Sequence, residues 1–269
     1  MLADGGVSGR VCGVVTRLAG LLLSIPLVAA AQVTCGTTVG PKQKVTLSGN
    51  VGPCDGVDAA IVVDSGSLDL AGFGVSCSDL DGDGDVPQGI VLTGKKSKVM
   101  GGSVTGCSNG VGLAGQGKHT VLGMTVQSSG DDGIDVLAQA EKNRIMGNTS
   151  SGNSDDGFYL RSSKNKVADN VSTGNGADGF DLPTSAGKNK LTRNRADGNE
   201  DSGIEVSGSK NKLVLSSASQ NGGDGIYVGG SKNKVSGGAS MGNAVYDIEG
   251  CAGNKVKKLS FSTASPDCQ

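Results

Sequence analysis

Acidic and aromatic side chains recur along the chain at one position of a short phrase: glycine, apolar residue, variable residue, apolar residue. Because the apolar residues alternate, as in Phe158 and Leu160, each phrase predicts a strand whose variable residue faces away from the core. We call the set of variable residues the outer column: Val91, Gly112, Asp135, Tyr159, Asp181, Glu205, Tyr227 and Asp247. Tyrosine rings and carboxylates at regular spacing could bind a sugar chain, so we predict Tyr159, Tyr227 and Asp247 as substrate-binding residues. Exposed strand positions also tolerate these residue types without any ligand.

Four residues in or beside the column could support catalysis. Asp181 and Glu205 are expected one coil apart, and Asp135 and Asp181 two coils apart, a separation within the range of inverting glycosidases. Adjacent carboxylates raise the pKa of one of the pair, which suits a general acid. Arg161 follows a column strand and is expected close to Asp181, where it could serve as the base of a calcium-dependent lyase. Structural charge pairing explains Arg161 equally well.

Asparagines repeat with a period close to 22 residues, and this period identifies the architecture. One series lies in Lys-Asn-Lys-like triplets and the other follows ten residues later: Asn143, Asn165, Asn189, Asn211, Asn233 and Asn254; Asn153, Asn175, Asn199, Asn221 and Asn243. The repeat is too short for two-helix solenoids but accommodates about three short strands and three turns. Stacked coils would place the asparagines in inward-facing ladders, and the glycine that opens each phrase would supply a positive φ at the corner.

The repeated phrases resemble the pectin-lyase-like right-handed parallel β-helix family, for example in Asn165-Lys166-Val167-Ala168-Asp169-Asn170 and Asp178-Gly179-Phe180-Asp181-Leu182. The resemblance covers about residues 59–257. It implies an all-β fold, a right-handed parallel β-helix of about eight or nine coils of 21–24 residues. The family includes lyases, hydrolases, epimerases and proteins without catalysis. We therefore expect an interaction with an extended polysaccharide along the outer column, with a lyase or hydrolase and a purely structural surface protein as alternatives.

The sequence lacks the residues for two activities that the resemblance would allow, galacturonase catalysis and copper delivery. The galacturonase signature joins paired aspartates to a His-Gly segment, but the only histidine, His119, stands at a ladder position, where we expect it to replace asparagine. Copper-delivery β-helix proteins are further relatives, yet one histidine and methionines that look buried, such as Met100 and Met146, offer few soft ligands. We set both activities aside on this basis.

The chain begins with the pattern of an export signal. Residues 1–31 carry Arg10 and Arg17, an apolar stretch and three alanines before Gln32, which predicts a cleaved signal peptide. The apolar stretch is too short for a membrane span, so none is expected in the mature chain. The remainder divides into an N-terminal cap (32–58), the β-helix (59–257) and a C-terminal cap or tail (258–269). The predicted location is outside the cell, in the periplasm or at the cell surface.

Six cysteines follow residue 31: Cys35, Cys54, Cys77, Cys107, Cys251 and Cys268. An even number in an exported chain predicts disulfides. Six cysteines allow 15 pairings, among which the sequence does not choose. Sequential pairing would close a loop at each end and one between neighbouring coils.

Alternating aspartates form a candidate metal loop. Asp79, Asp81, Asp83 and Asp85 match the first half of an EF-hand loop, but Ile90 stands where the bidentate glutamate would fall. The segment is thus either a calcium site that braces the loop or a solvated acidic loop. Calcium is the only cofactor that the sequence suggests.

The triplets also place a basic stripe on a chain whose net charge is only −2. The stripe could hold an acidic polysaccharide, or it could keep an exposed sheet soluble and unpaired. The predicted partner is accordingly a polysaccharide, neutral or acidic. Nucleic acid is disfavoured because aromatic residues are not interleaved with the basic ones.

Overall fold

The computed structural model describes residues 33–269, which form an all-β solenoid that ends in a short 3₁₀ turn at Pro266–Cys268. The predicted signal peptide lies outside these residues. No helix among the described residues is long and apolar enough to cross a membrane.

Two parallel sheets run along the solenoid. The column sheet has ten strands, at Thr37–Val39, Ala59–Asp64, Gln88–Thr93, Val111–Leu113, Ile134–Val136, Phe158–Leu160, Phe180–Leu182, Ile204–Val206, Ile226–Tyr227 and Ile248–Glu249. The long sheet has sixteen strands, at Lys44–Thr46, Val51–Cys54, Ser67–Asp69, Gly74–Cys77, Lys98–Thr105, Thr120–Gln127, Arg144–Met146, Thr149–Ser151, Lys166–Ala168, Val171–Thr173, Lys190–Thr192, Arg195–Asp197, Lys212–Ser219, Lys234–Met241, Lys255–Lys257 and Ser260–Phe261. Each strand pairs with its equivalent one coil away, and the predicted right-handed parallel β-helix is confirmed.

Ten strands in the column sheet give ten coils rather than the eight or nine that were predicted. Within the segment predicted as a cap (32–58), residues 33–58 supply a coil of their own. Its strand Thr37–Val39 pairs in parallel with residues 61–63, and Lys44–Thr46 pairs with Ser67–Asp69. In this coil Gln43 stands where the coils from Lys142 onward have the triplet asparagine.

The core is built from small and medium apolar side chains that stack on their equivalents in the next coil. Phe158 and Phe180 stack with their ring centroids 4.5 Å apart. The glycine that precedes each column strand is required by space, because a Cβ at Gly157 would lie 1.9 Å from Ser172 Oγ and 2.8 Å from Gly179 O. These corner glycines do not have the positive φ that was expected of them. Close contact between coils, rather than backbone conformation, selects glycine here.

Buried asparagines form the predicted ladders. In one of them Asn153 Nδ2 donates to Asn175 Oδ1 at 2.8 Å. A third ladder, which the sequence analysis did not identify, contains Asn148, Asn170 and Asn194. His119 replaces asparagine as predicted: its backbone N–H donates to Asn143 Oδ1, and its Nδ1 accepts from the backbone of Ser97. Burial lowers the pKa of His119, so the ring is neutral.

The six cysteines pair in sequential order, as Cys35–Cys54, Cys77–Cys107 and Cys251–Cys268. The first and last disulfides close loops at the two ends of the solenoid. The middle disulfide joins neighbouring coils, because the strands Gly74–Cys77 and Lys98–Thr105 pair with each other.

Candidate functional site

The outer column is present at seven of its eight predicted positions. Cross-strand pairing joins Val91, Gly112, Asp135, Tyr159, Asp181, Glu205 and Tyr227 in one unbroken line. The eighth position is Glu249, which pairs with Tyr227. The column therefore brings the predicted carboxylates and both binding tyrosines together on one face.

Asp247 does not belong to the column, and the prediction that placed it there is wrong. Its side chain is buried and accepts hydrogen bonds from Asn243, Ser262 and Thr263. Burial opposes ionisation, but these hydrogen bonds hold the pKa of Asp247 below its usual range. Ile226 pairs with Ile248, so Asp247 occupies the place of the corner glycine. Its carboxylate holds the C-terminal segment against the last coil.

Arg161 contacts the coil before it, and the prediction that it lies beside Asp181 on the next coil is wrong. Its Nε donates to Asp135 Oδ1 at 3.1 Å, and Nη2 donates to the other carboxylate oxygen. The guanidinium lies 4.9 Å from the centre of the Tyr159 ring. Burial raises the pKa of Asp135, and Arg161 opposes that rise. A bidentate pair of this kind orients both side chains, which favours a positioning role.

Asp181 is the one column acid with a buried side-chain oxygen that lacks a hydrogen-bond partner in the described part of the chain. Its Oδ1 is buried and has no hydrogen-bond partner. Its cross-strand neighbours are Tyr159 and Glu205. Burial, followed by the charges of Glu205 and Asp155, raises the pKa of Asp181 to about 7. Asp181 can therefore exchange a proton near neutral pH.

A second line of acids lies beside the column, at the corner that precedes each column strand. We call it the aspartate ladder; its members are Asp132, Asp156, Asp178 and Asp224, all buried. Within it, Asp132 Oδ1 accepts from the backbone of Asp156, and Asp156 Oδ1 from the backbone of Asp178. Burial, reinforced by neighbouring acids, raises the pKa of Asp132 and Asp178 to about 8 and that of Asp156 to about 9. Asp132, Asp156 and Asp178 are therefore largely protonated at neutral pH.

These pKa shifts predict that the protein loses stability as the solution becomes more alkaline. The unfolded chain releases the protons of Asp132, Asp156 and Asp178 near pH 4, whereas the folded chain keeps them to about pH 8 or 9. The free energy of unfolding should thus fall between pH 5 and pH 9, by at most about 1.4 kcal/mol per pH unit for each protonated aspartate. Urea unfolding at pH 5, 7 and 9 measures this slope. Asp156→Asn keeps the acceptor oxygen and should flatten the slope; stability that rises over this range would contradict the prediction.

The candidate calcium loop brings together a different set of acids from the one predicted. Carboxylate oxygens of Asp55, Asp79 and Asp81 lie within 4.8 Å of one another. Asp83 and Asp85 are not in this group and instead line a neighbouring pocket. Much of the loop is held by its own hydrogen bonds, since Asp79 accepts from the backbone of Gly82 and Gly84. The sequence could not identify Asp55 because it lies 24 residues before Asp79.

Soft metal ligands do not converge anywhere in residues 33–269. Both ring nitrogens of His119 are in hydrogen-bonding contact with the backbone, and all six cysteines form disulfides. Met124 is buried and Met241 is exposed on the long sheet, whereas Met100 and Met146, which were expected to be buried, are half-buried. The acidic groups described above offer only oxygen ligands, which suit hard cations.

Solved structures of several sugar-acting proteins share this fold. The periplasmic alginate epimerase AlgG matches with a TM-score of 0.58 at 18% identity, covering 83% of this chain and 62% of AlgG. The A-module of mannuronan C-5 epimerase AlgE6 from Azotobacter vinelandii matches at 0.60 and 14%, covering 86% of this chain and 80% of the module. Pectate lyase Pel9A matches at 0.51 and 15%, covering 86% of this chain and 68% of the lyase. The chain thus spans less than two thirds of AlgG, and at these identities the likeness concerns the fold alone.

No curated protein sequence matches the chain. A family model does: residues 78–216 match the model described as Periplasmic copper-binding protein (NosD). The matched region is just over half of the chain and runs from the aspartate loop through most of the asparagine-ladder coils. The β-helix described above therefore belongs to the NosD family.

Proposed function

We propose that this chain is an exported protein that binds an extended polysaccharide along the outer column. The observation that carries the proposal is the cross-strand pair of Asp181 and Tyr159, both partly exposed on the face of the outer column. The exposed part of the carboxyl group would hydrogen-bond a sugar hydroxyl, and the ring would pack against a sugar face. The three disulfides support export, because disulfides persist in oxidising compartments. Three of the structures that share the fold act on polysaccharides, which is consistent with this proposal.

Removing both column tyrosines should weaken binding. The double variant Tyr159→Ala/Tyr227→Ala is expected to bind its polysaccharide about tenfold or more weakly, because each aromatic contact contributes about 1 kcal/mol. Titration of the protein against a panel of neutral and acidic polysaccharides measures the effect. Leu122→Ala serves as control, since Leu122 is exposed on the long sheet.

The outcomes separate the candidate functions. Equal affinity of the double variant and the wild type would place the binding surface elsewhere. If the wild type bound no polysaccharide at all, the alternative of a structural surface protein would replace the proposal. A surface protein of this kind would need the ladders but not the column.

Catalysis at the column is a second candidate, favoured by the near-neutral pKa of Asp181. Asp181 would act as general acid or base together with Glu205, its neighbour on the next coil. Asp135 and Arg161 hold each other in an ion pair, so they would orient Tyr159 and the substrate rather than transfer protons. The reaction would be cleavage of a polysaccharide by a hydrolase or lyase.

Copper is not part of the proposal, although the family description names it. The histidine, cysteine and methionine side chains of residues 33–269 do not form a set that would bind it. We derive no step through copper for this chain.

We also propose that Asp55, Asp79 and Asp81 bind a calcium ion with a structural role. Binding is expected in the range of about 0.1 to 1 mM, as in extracellular calcium modules. Calorimetric titration of the protein with calcium chloride measures it. Asp79→Asn should abolish the signal, whereas Asp58→Asn, in the neighbouring pocket, should leave it unchanged. An unchanged signal in Asp79→Asn, or no signal in the wild type, would identify the segment as a solvated loop.

A further inference from the structure

The long sheet and the corner before it carry a double line of basic side chains, which we call the cation ridge: Lys142, Arg144, Lys164, Lys166, Lys188, Lys190, Lys210, Lys212, Lys232, Lys234 and Lys255. All eleven are exposed. Strand register places six of them opposite one another on consecutive coils, from the pair Arg144–Lys166 to the pair Lys234–Lys255. A coil spacing of about 4.8 Å makes this a dense line of like charge.

The ridge is almost without counter-charges in the described part of the chain. Glu141 accepts a hydrogen bond from Lys164 Nζ at 2.7 Å. The three other ion pairs do not involve ridge residues. Like charges that lie opposite each other on neighbouring strands destabilise a sheet. The free protein therefore carries an electrostatic repulsion that a bound polyanion would relieve.

The corner lysines of the cation ridge have a backbone conformation that residues with a side chain rarely adopt. Lys142, Lys164, Lys188, Lys210 and Lys232 have positive φ values between 60° and 66°. This region is sterically disfavoured for a residue with a side chain, and glycine avoids the clash. In the last coil the equivalent residue is glycine, Gly253, with a φ of 74°. Lysine thus occupies this corner in five consecutive coils although the local conformation favours glycine.

Protection against unwanted sheet pairing explains the ridge less well. Lysines serve that purpose on edge strands, whose hydrogen-bonding groups are free. The ridge strands Lys166–Ala168, Lys190–Thr192 and Lys212–Ser219 are each paired on both sides. They have no open edge to protect.

We propose that the cation ridge binds a linear acidic polysaccharide whose carboxylate or sulfate groups follow the solenoid axis. Two shallow depressions lie along the ridge. One is lined by Lys164, Lys188 and Lys210 with hydroxyl groups from Ser163 and Thr184 between them, and the other by Arg144, Lys166 and Lys190. Hydroxyl groups between cations suit a sugar chain, which presents its own hydroxyls between its charges. No aromatic residue that could stack a nucleobase belongs to the ridge. This surface is separate from the outer column and does not depend on it.

Two triple variants with the same change in net charge test the proposal. Lys166→Gln/Lys190→Gln/Lys212→Gln removes three consecutive ridge cations, and Lys95→Gln/Lys257→Gln/Lys258→Gln removes three exposed lysines outside the ridge. Affinities for polygalacturonate and heparin are measured at low and high salt, with a neutral glucan for comparison. We expect the ridge variant to bind the acidic chains about tenfold more weakly, with a reduced dependence on salt, and the control variant to change less than about twofold.

Several results would overturn the proposal. Equal loss in both triple variants would mean that net charge alone drives binding, and a DNA duplex bound as tightly as the acidic polysaccharides would reject a sugar chain as the partner. Absence of binding by the wild type would reject the ridge as a binding surface. The column variant Tyr159→Ala/Tyr227→Ala should keep its affinity for polyanions. Failure of the column proposal would therefore leave the result for the ridge unaffected.

Discussion

Replacing Asn175 with alanine is expected to lower the free energy of unfolding by about 3 to 5 kcal/mol. The Asn175 side chain is fully buried, and its Nδ2 donates to Asn199 Oδ1 and to Ser172 Oγ, both at 2.8 Å. Its Oδ1 accepts from the backbone and the side chain of Asn153. Alanine leaves these partners buried without hydrogen bonds, at about 1 to 3 kcal/mol for each unsatisfied group, and opens a small cavity as well.

Denaturant unfolding of the wild type and the variant measures this loss. Asn50→Ala is the matched control, because Asn50 is exposed and accepts a single hydrogen bond from the backbone of Gly74. Its loss should be below about 1 kcal/mol. A similar, small loss in both variants would show that the ladder amides stabilise the coils no more than a surface hydrogen bond does.

The other large effect is expected at Asp181. Asp181→Asn should lower the rate of polysaccharide cleavage by about 10² to 10⁴-fold, since asparagine cannot transfer the proton. Acting as general acid, Asp181 must be protonated, so wild-type turnover should decline as the pH rises through about 7. Assays of reducing-end release and of unsaturated-uronate absorbance, each over a range of pH, measure both effects and distinguish hydrolysis from elimination.

Asp169→Asn controls for the loss of a carboxylate elsewhere. Asp169 forms an exposed ion pair with Arg193 on the long sheet, so its replacement should leave turnover unchanged. Turnover retained in Asp181→Asn would remove this residue from the catalytic assignment. Wild-type protein that cleaves no substrate would end the case for an enzyme and leave binding as the function.

The sequence was sufficient for the fold because the asparagine ladders stack identical residues in register. Once Asn143 and Asn165 are aligned, the positions of the strands between them follow. The misplacement of Asp247 has a specific cause: this aspartate replaces the corner glycine that marks the register in earlier coils. The register of a coil can be predicted from the sequence only where the corner glycine is present.

The contacts of long side chains and the burial of the corner aspartates could not be predicted from the sequence. Register identified the neighbours of Arg161, but a long side chain can contact either the preceding or the following coil, and only the structure shows the pair with Asp135. Asp156 and Asp178 looked like ordinary Asp-Gly turn residues, which are usually exposed. Their burial follows from the close packing of coils at that corner, which no local pattern encodes.

The outer column and the cation ridge share the coil as their repeating unit. Every coil contributes one residue to the outer column and, in the second half of the chain, about two cations to the ridge. Each coil contacts only its neighbours. Insertion or deletion of a whole coil would therefore lengthen or shorten both surfaces by the same increment without disturbing the remaining coils. Under the proposed function, the length of polymer that could bind would thus depend on the number of coils. Duplication of a segment of about 22 residues would add one coil, and with it the same residue types at the same positions of both surfaces.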